Sequence, residues 1–226
     1  MKSIQQHITE RLKLTKDRVN SKYKYFPKNL KELREAIAQI IHDKGNKNAD
    51  VIDLNIIDTS NVDNMNKLFA YFNREYMNNK YEIDISQWDV SNVKDMSCMF
   101  MRSDFNGDIS RWNVSHVETM EGMFSFSEFN NDISQWNVLN VKNMNSMFTS
   151  SKFNQDISDW NVSHLKSMGA MFYGSKFNQD ISQWNISQVE NMSNIFAFSD
   201  FNKDLTPWAD ILNKKVDFDD IQKYVK

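Results

Sequence analysis

Phe105-Asn-Gly-Asp-Ile-Ser-Arg-Trp-Asn-Val-Ser-His-Val-Glu-Thr-Met-Glu-Gly-Met-Phe124 carries two periods in one short span. Val117, Met120, Met123 and Phe124 fall at i, i+3, i+6 and i+7, the spacing of one face of a helix of about two to three turns. Ser115 stands at the N-cap of that helix with Glu118 three residues on, a capping box that Ser187 and Glu190 repeat. Ser60, Ser91 and Ser163 hold the same position, and Leu139 is the exception. Upstream, Asp108-Ile109-Ser110 reads as a short extended segment with Ile109 pointing inward. The stretch therefore predicts a strand, a turn through Trp112-Asn113-Val114, a short helix, and a return loop closed by the next phenylalanine.

The same stretch is reissued along the chain. All six tryptophans, Trp88, Trp112, Trp136, Trp160, Trp184 and Trp208, lie 24 residues apart. A fixed period between about 20 and 50 residues marks a stacked array in which each unit buries its apolar face on its neighbour. Full units start at Tyr81, Phe105, Phe129, Phe153 and Phe177. A sixth begins at Phe201 and breaks off after Trp208, with Pro207 disturbing its strand. An earlier copy, Asp53–Phe69, matches Asp84–Phe100 at a displacement of 31, and the seven extra residues lie around Tyr71–Met77 as a loop at the first junction. Stacked strands would step by about 4.8 Å. The 13 methionines recur at helical spacing, so they read as packing residues. The column Asp84, Asp108, Asp132, Asp156, Asp180, Asp204 would repel itself unless each carboxylate is engaged locally. Acceptance of backbone amides in each residue's own turn is one solution. A calcium ladder is the other, although the Gly-rich repeats of nonapeptide β-rolls are absent.

The ends differ from the array. Residues 1–26 hold seven Lys/Arg against Glu10 and Asp17, a net +5, which leaves −8 on residues 27–226 of a chain whose overall charge is −3. Ile4, Ile8 and Leu12 form a narrow stripe on a short helix that needs a partner, a docking segment in a basic arm (1–26) whose residues 15–26 read as a linker. Pro27 and Asn29 open a clearer helix with Leu30, Leu33, Ile37, Ile40 and Ile41 on one face and Gly45 at its end, an N-terminal cap over 27–48. The array occupies 49–208. Residues 209–226 form a C-terminal cap with Phe218, Ile221, Tyr224 and Val225 on one helical face.

Chemistry is hard to place. Cys98 is the one cysteine, so no internal disulfide framework exists. No segment approaches the ~20 apolar residues that span a bilayer, and no export signal is read at the start. His116 and His164 share a column two units apart, roughly 10 Å at the expected step, too far to share a metal. No metal, phosphate-loop or nucleophile motif occurs, so no cofactor and no enzyme is expected. The informative positions are those where copies disagree. Met101, Arg102, Phe126, Tyr173 and Phe198 stand beside Ser or Thr in sister units, and exposed aromatics and Arg are what interfaces use as anchors. The outer column Gln87, Arg111, Gln135, Asp159, Gln183 is also free to vary. A protein partner is expected, and a nucleic acid is not.

The unit F-N-x-D-I-S-x-W-x-V-S-x-V-x-x-M-x-x-M-F resembles the BspA-like leucine-rich-repeat family, first collected from mycoplasma surface lipoproteins, over about residues 49–208. The resemblance implies an α/β, leucine-rich-repeat-like, right-handed solenoid of strand–short helix coils with helical caps at both ends, used for protein binding and often for adhesion at bacterial surfaces. Separately, residues 1–10, ending Ile8-Thr9-Glu10, are similar to the capsid-targeting peptides of T-even-like phage internal proteins. The combined expectation is a non-enzymatic protein-interaction solenoid working in the cytoplasm or a virion, encoded by a phage. The alternative is a bacterial surface or secreted adhesin.

Overall fold

The computed structural model of the chain describes residues 22–45, 51–72 and 82–212. Its first helix, α1 (Leu30–Gly45), starts where Asn29 Oδ1 accepts the Glu32 amide at 3.0 Å while Glu32 Oε2 reaches back to the Lys28 amide at 3.0 Å. Leu33, Ala36, Ile37 and Ile40 are buried on the core side. Arg34 donates to the Asn66 carbonyl at 2.7 Å, so α1 covers the open end of the first unit. Residues 22–26, expected as linker, are also pinned there. Tyr25 pairs in parallel with Ile57, Lys24 N donates to Ile56 O at 2.7 Å, and Asp58 N donates to Tyr25 O at 2.9 Å. These residues take up backbone groups that a preceding unit would otherwise satisfy.

Two strands follow, β1 (Val51–Asp53) and β2 (Glu82–Asp84), paired in parallel with Val51 opposite Glu82. From there, copies of one position meet in series: Asn64 with Asp95, then Thr119, Asn143, Ser167 and Asn191. Alternate amides beyond each of these points donate to the next unit. Met120 N bonds Asn143 O at 2.9 Å, Gly122 N bonds Asn145 O at 2.8 Å, Phe124 N bonds Met147 O at 2.9 Å and Phe126 N bonds Thr149 O at 2.7 Å. Between them the backbone folds into turns within the unit, with Met123 N to Met120 O at 3.1 Å and Ser127 N to Phe124 O at 3.2 Å. The third residues of these two turns, Gly122 and Phe126, have φ of 59° and 57°, as type II turns require.

The short helix expected in each unit is therefore not formed over the described residues. A run of turns buries residues three and four apart as a helix does, so the apolar spacing admits both. The amides decide between them. An isolated stretch of about eight residues is marginal as a helix, whereas here alternate amides gain an acceptor on a stacked neighbour and those between them close turns within the unit. The left-handed positions are also filled by Gly122, Ser146, Ser150, Gly174 and Asn194, residues that favour turns over helix interiors.

In the column of β1 and β2, no further strand follows β2 among the described residues. The phenylalanine columns show the units more widely spaced on this side than on the other. Along Phe100, Phe124, Phe148, Phe172 and Phe196, successive ring centroids are 5.5–5.7 Å apart, whereas along Phe105, Phe129, Phe153, Phe177 and Phe201 the step is 6.3 Å. On the wider side asparagine side chains bridge the gap. The amides of Asn130, Asn154, Asn178 and Asn202 donate to the Oδ1 atoms of Asn106, Asn130, Asn154 and Asn178 at 2.8–3.0 Å.

The core is a set of columns. Val117, Met120, Met123 and Phe124 and their copies are almost fully buried. Each unit's last phenylalanine lies on the first of the next, as in Phe124–Phe129 at 4.2 Å and Phe172–Phe177 at 4.0 Å. The tryptophans stack where Trp112 meets Trp136 at 6.5 Å and Trp160 meets Trp184 at 6.3 Å. Their indole N–H groups serve as struts between units. Trp112, Trp136, Trp160 and Trp184 donate to the carbonyls of Ile85, Ile109, Ile133 and Ile157 at 3.0–3.2 Å. Pro207 falls in the first turn of α2 (Thr206–Leu212), where its missing N–H costs nothing, so it begins a helix.

Candidate interaction surface

The aspartate column is engaged within its own turns. The Oδ1 atoms of Asp84, Asp108, Asp132, Asp156, Asp180 and Asp204 accept the amides of Ser86, Ser110, Ser134, Ser158, Ser182 and Thr206 at 2.8–3.0 Å. The amide and then the hydroxyl of Ser110 hold the Asp108 carboxyl below its usual range, and the Ser182 amide does the same for Asp180. For Asp84, burial pushes upward but is outweighed by hydrogen bonds from the Ser86 amide, Asn55 and the Ser86 hydroxyl, so its pKa is also lowered. Among the described residues no group of three or more His, Cys, Asp or Glu is placed to hold a metal ion.

The serines assigned to helix N-caps have a different task. The amides of Ser115, Ser163 and Ser187 donate to Oδ1 of Asn113, Asn161 and Asn185 at 3.1–3.2 Å. Leu139 donates identically to Asn137, which explains why a leucine is accepted there: the position contributes its backbone. His116 Nδ1 donates to the Ser91 carbonyl at 2.8 Å, as Asn92 and Asn140 do to the carbonyls of Ser60 and Ser115. Cys98 sits half-buried at a left-handed position with φ 55°, and burial pushes its thiol pKa up. The outer column is exposed, and Gln135 and Asp159 line a shallow polar hollow with Asp132, Ser134, Gln155, Asp156 and Ser158.

The five variable positions come together on two adjacent columns. Arg102, Phe126 and Phe198 occupy the second left-handed position of their units, a column completed by Tyr71, Ser150 and Gly174, with φ between 51° and 60° throughout. Met101 and Tyr173 are each one residue earlier and half-buried. Tyr71, Phe126 and Phe198 are 38%, 47% and 79% exposed. Tyr173 meets Phe198 edge to face at 5.3 Å, and Arg102 Cζ lies 4.6 Å from the Phe126 ring centre and 5.9 Å from that of Tyr71. Tyr71 was absent from the sequence-based set because it falls beside the seven-residue insertion. Its 31-residue displacement from Arg102 was the available signal.

This column is costly. The left-handed region penalises any residue with a Cβ by about 1–2 kcal/mol, and Gly174 shows that glycine satisfies the fold there. Bulky exposed aromatics at the same position accept both that strain and apolar exposure. The docking stripe Ile4, Ile8 and Leu12, the capsid-peptide resemblance, and the C-terminal face of Phe218, Ile221, Tyr224 and Val225 lie outside the described residues.

Among the described residues no helix is long and apolar enough to cross a membrane. No curated protein matches the chain. No solved structure matches it either. A family of mycoplasma proteins of unknown function, DUF285, matches residues 37–152 and again 125–223, spans that include every 24-residue unit. With its repeating turns and asparagine-bridged stack, the chain belongs to the DUF285 family.

Proposed function

We propose that the chain is a non-enzymatic protein–protein interaction solenoid of the leucine-rich-repeat type, right-handed and closed by caps at both ends. One observation carries this reading: Tyr71, Phe126 and Phe198 stand exposed at backbone positions where glycine would serve the fold better. Backbone strain and apolar exposure retained at the same positions point to a binding role. The partner lies along the Tyr71–Phe198 column. We place the protein inside a cell or within a virion, on the strength of its first ten residues. Surface adhesion is the second reading, favoured by the family resemblance of the repeat, and fractionation of the producing cells separates the two.

The test uses the full chain and the double variant Phe126→Ser/Phe198→Gly, which installs residues that Ser150 and Gly174 already hold in sister units. A partner protein retained by the wild-type chain and lost by the variant supports the proposal. Equal retention by both refutes the assignment of this surface.

A further inference from the structure

We infer that Arg102 is a prebuilt fork for a carboxylate on an acidic, partly apolar segment of a protein partner; this rests on the binding-surface reading and specifies its chemistry. The guanidinium lies between the Tyr71 and Phe126 rings, at 5.9 Å and 4.6 Å, and the residue is exposed. Cation–π contact with the two rings restrains the long side chain and leaves its N–H groups open to an acceptor. Among the described residues no carboxylate lies within ion-pair distance of Arg102 and no acceptor bonds its side chain, whereas Lys142, Lys166 and Lys176 each have an acidic partner one unit away. A planar fork with its torsional freedom already spent binds a carboxylate in two-point fashion at reduced entropic cost.

The surroundings select the class of partner. A polyanion such as nucleic acid would meet one arginine on a body that carries −8 over residues 27–226, which does not make a phosphate-tracking stripe. A single acid beside apolar side chains fits better. Past Phe126 the column carries the small residues Ser150 and Gly174 before Phe198, room that the inference assigns to a partner side chain as a recess. At 5.7 Å per unit Ser150 lies about 11 Å along the column from Arg102. The bound segment thus offers an Asp or Glu to Arg102 and a large apolar side chain to the recess.

The probe is a random twelve-residue peptide library selected on the full chain, on Arg102→Gln and on Arg102→Lys. Wild-type selections enrich peptides with Asp or Glu and a large apolar residue, and Arg102→Gln loses the acidic preference. Replacing the acid of a selected peptide by its amide weakens wild-type binding about 10- to 100-fold and leaves Arg102→Gln binding unchanged. Arg102→Lys falls about tenfold, because the charge remains and the fork does not. No acidic enrichment, or equal loss in both proteins, overturns the inference. Binding that appears only after Glu10→Gln or Glu75→Gln puts the chain's own carboxylate in the fork and overturns it as well. Peptides that need Phe126 and Phe198 but no acid would sink the fork while leaving the binding surface standing.

Discussion

Trp136 and Trp208 occupy the same position of the repeat but differ in one hydrogen bond, and that difference sets up a paired substitution. Trp136 Nε1 donates to the Ile109 carbonyl at 3.0 Å, while Trp208 Nε1 is buried with no acceptor among the described residues. Phenylalanine keeps the aromatic stack at both sites and removes the N–H. At Trp136 the change forfeits a hydrogen bond with a net worth of about 1 kcal/mol. Shrinking a ring in a close-packed column adds roughly 1–2 kcal/mol. Ile109 O keeps its second donor, the Trp112 amide at 3.2 Å, so no new orphan arises and the total stays near 2–3 kcal/mol. At Trp208 the shrinkage is the same, but deleting a buried unsatisfied donor returns about 1–3 kcal/mol, so the sum lies near zero. Urea unfolding followed by far-ultraviolet circular dichroism reads both. With a slope of about 2–3 kcal/mol/M, Trp136→Phe lowers the midpoint by about 1 M and Trp208→Phe leaves it within a few tenths. Equal losses at the two sites would refute the claim that the indoles tie unit to unit through their N–H groups.

Two further outcomes follow from the turns. Asp84, Asp108, Asp180 and Asp204 all have folded pKa values below their ordinary range. Their contribution is therefore present above the unfolded carboxylate value of about 4 and is lost as pH falls through the lower folded values; the urea midpoint should hold from pH 7 to 5 and drop below pH 4, and Asp108→Asn, which keeps the accepting oxygen, should blunt that drop. Gly174→Ala should cost about 1 kcal/mol in the same unfolding assay, since φ is 60° and the new Cβ would stand 3.1 Å from Ser150 Oγ; an unchanged midpoint would show that this column carries no strain.

Much of the stack could be read before any coordinates. The 24-residue spacing of the tryptophans marks which residues meet their own copies, because identical side chains at a fixed period are buried together or not at all. The aspartates were legible too, since a like-charged column has few solutions and amide acceptance within a turn is the local one. The helix was misread for a definite reason: Val117, Met120, Met123 and Phe124 share a face in a helix and in a run of type II turns alike. What separates these is the left-handed backbone at positions 122 and 126, and Cys98, Ala170, Arg102 and Phe126 at those columns give no such hint, although their glycine copies do. The fanning of the units was invisible, because the widening to 6.3 Å depends on how Phe105 and its copies stack in three dimensions. The variable positions could be listed from the repeat alone, but the φ values add what the list lacked: Arg102, Phe126 and Phe198 share one left-handed column with Tyr71.

The most direct test of that column is the affinity of a library-selected peptide for Phe126→Ser/Phe198→Gly, measured beside the wild-type chain at matched fold stability. The column reading predicts a loss of about 100-fold or more with the urea midpoint within about half a molar of wild type, since both rings are exposed and glycine at position 198 relieves the left-handed strain there. Retained affinity, or a loss explained by an unfolded variant, would contradict it.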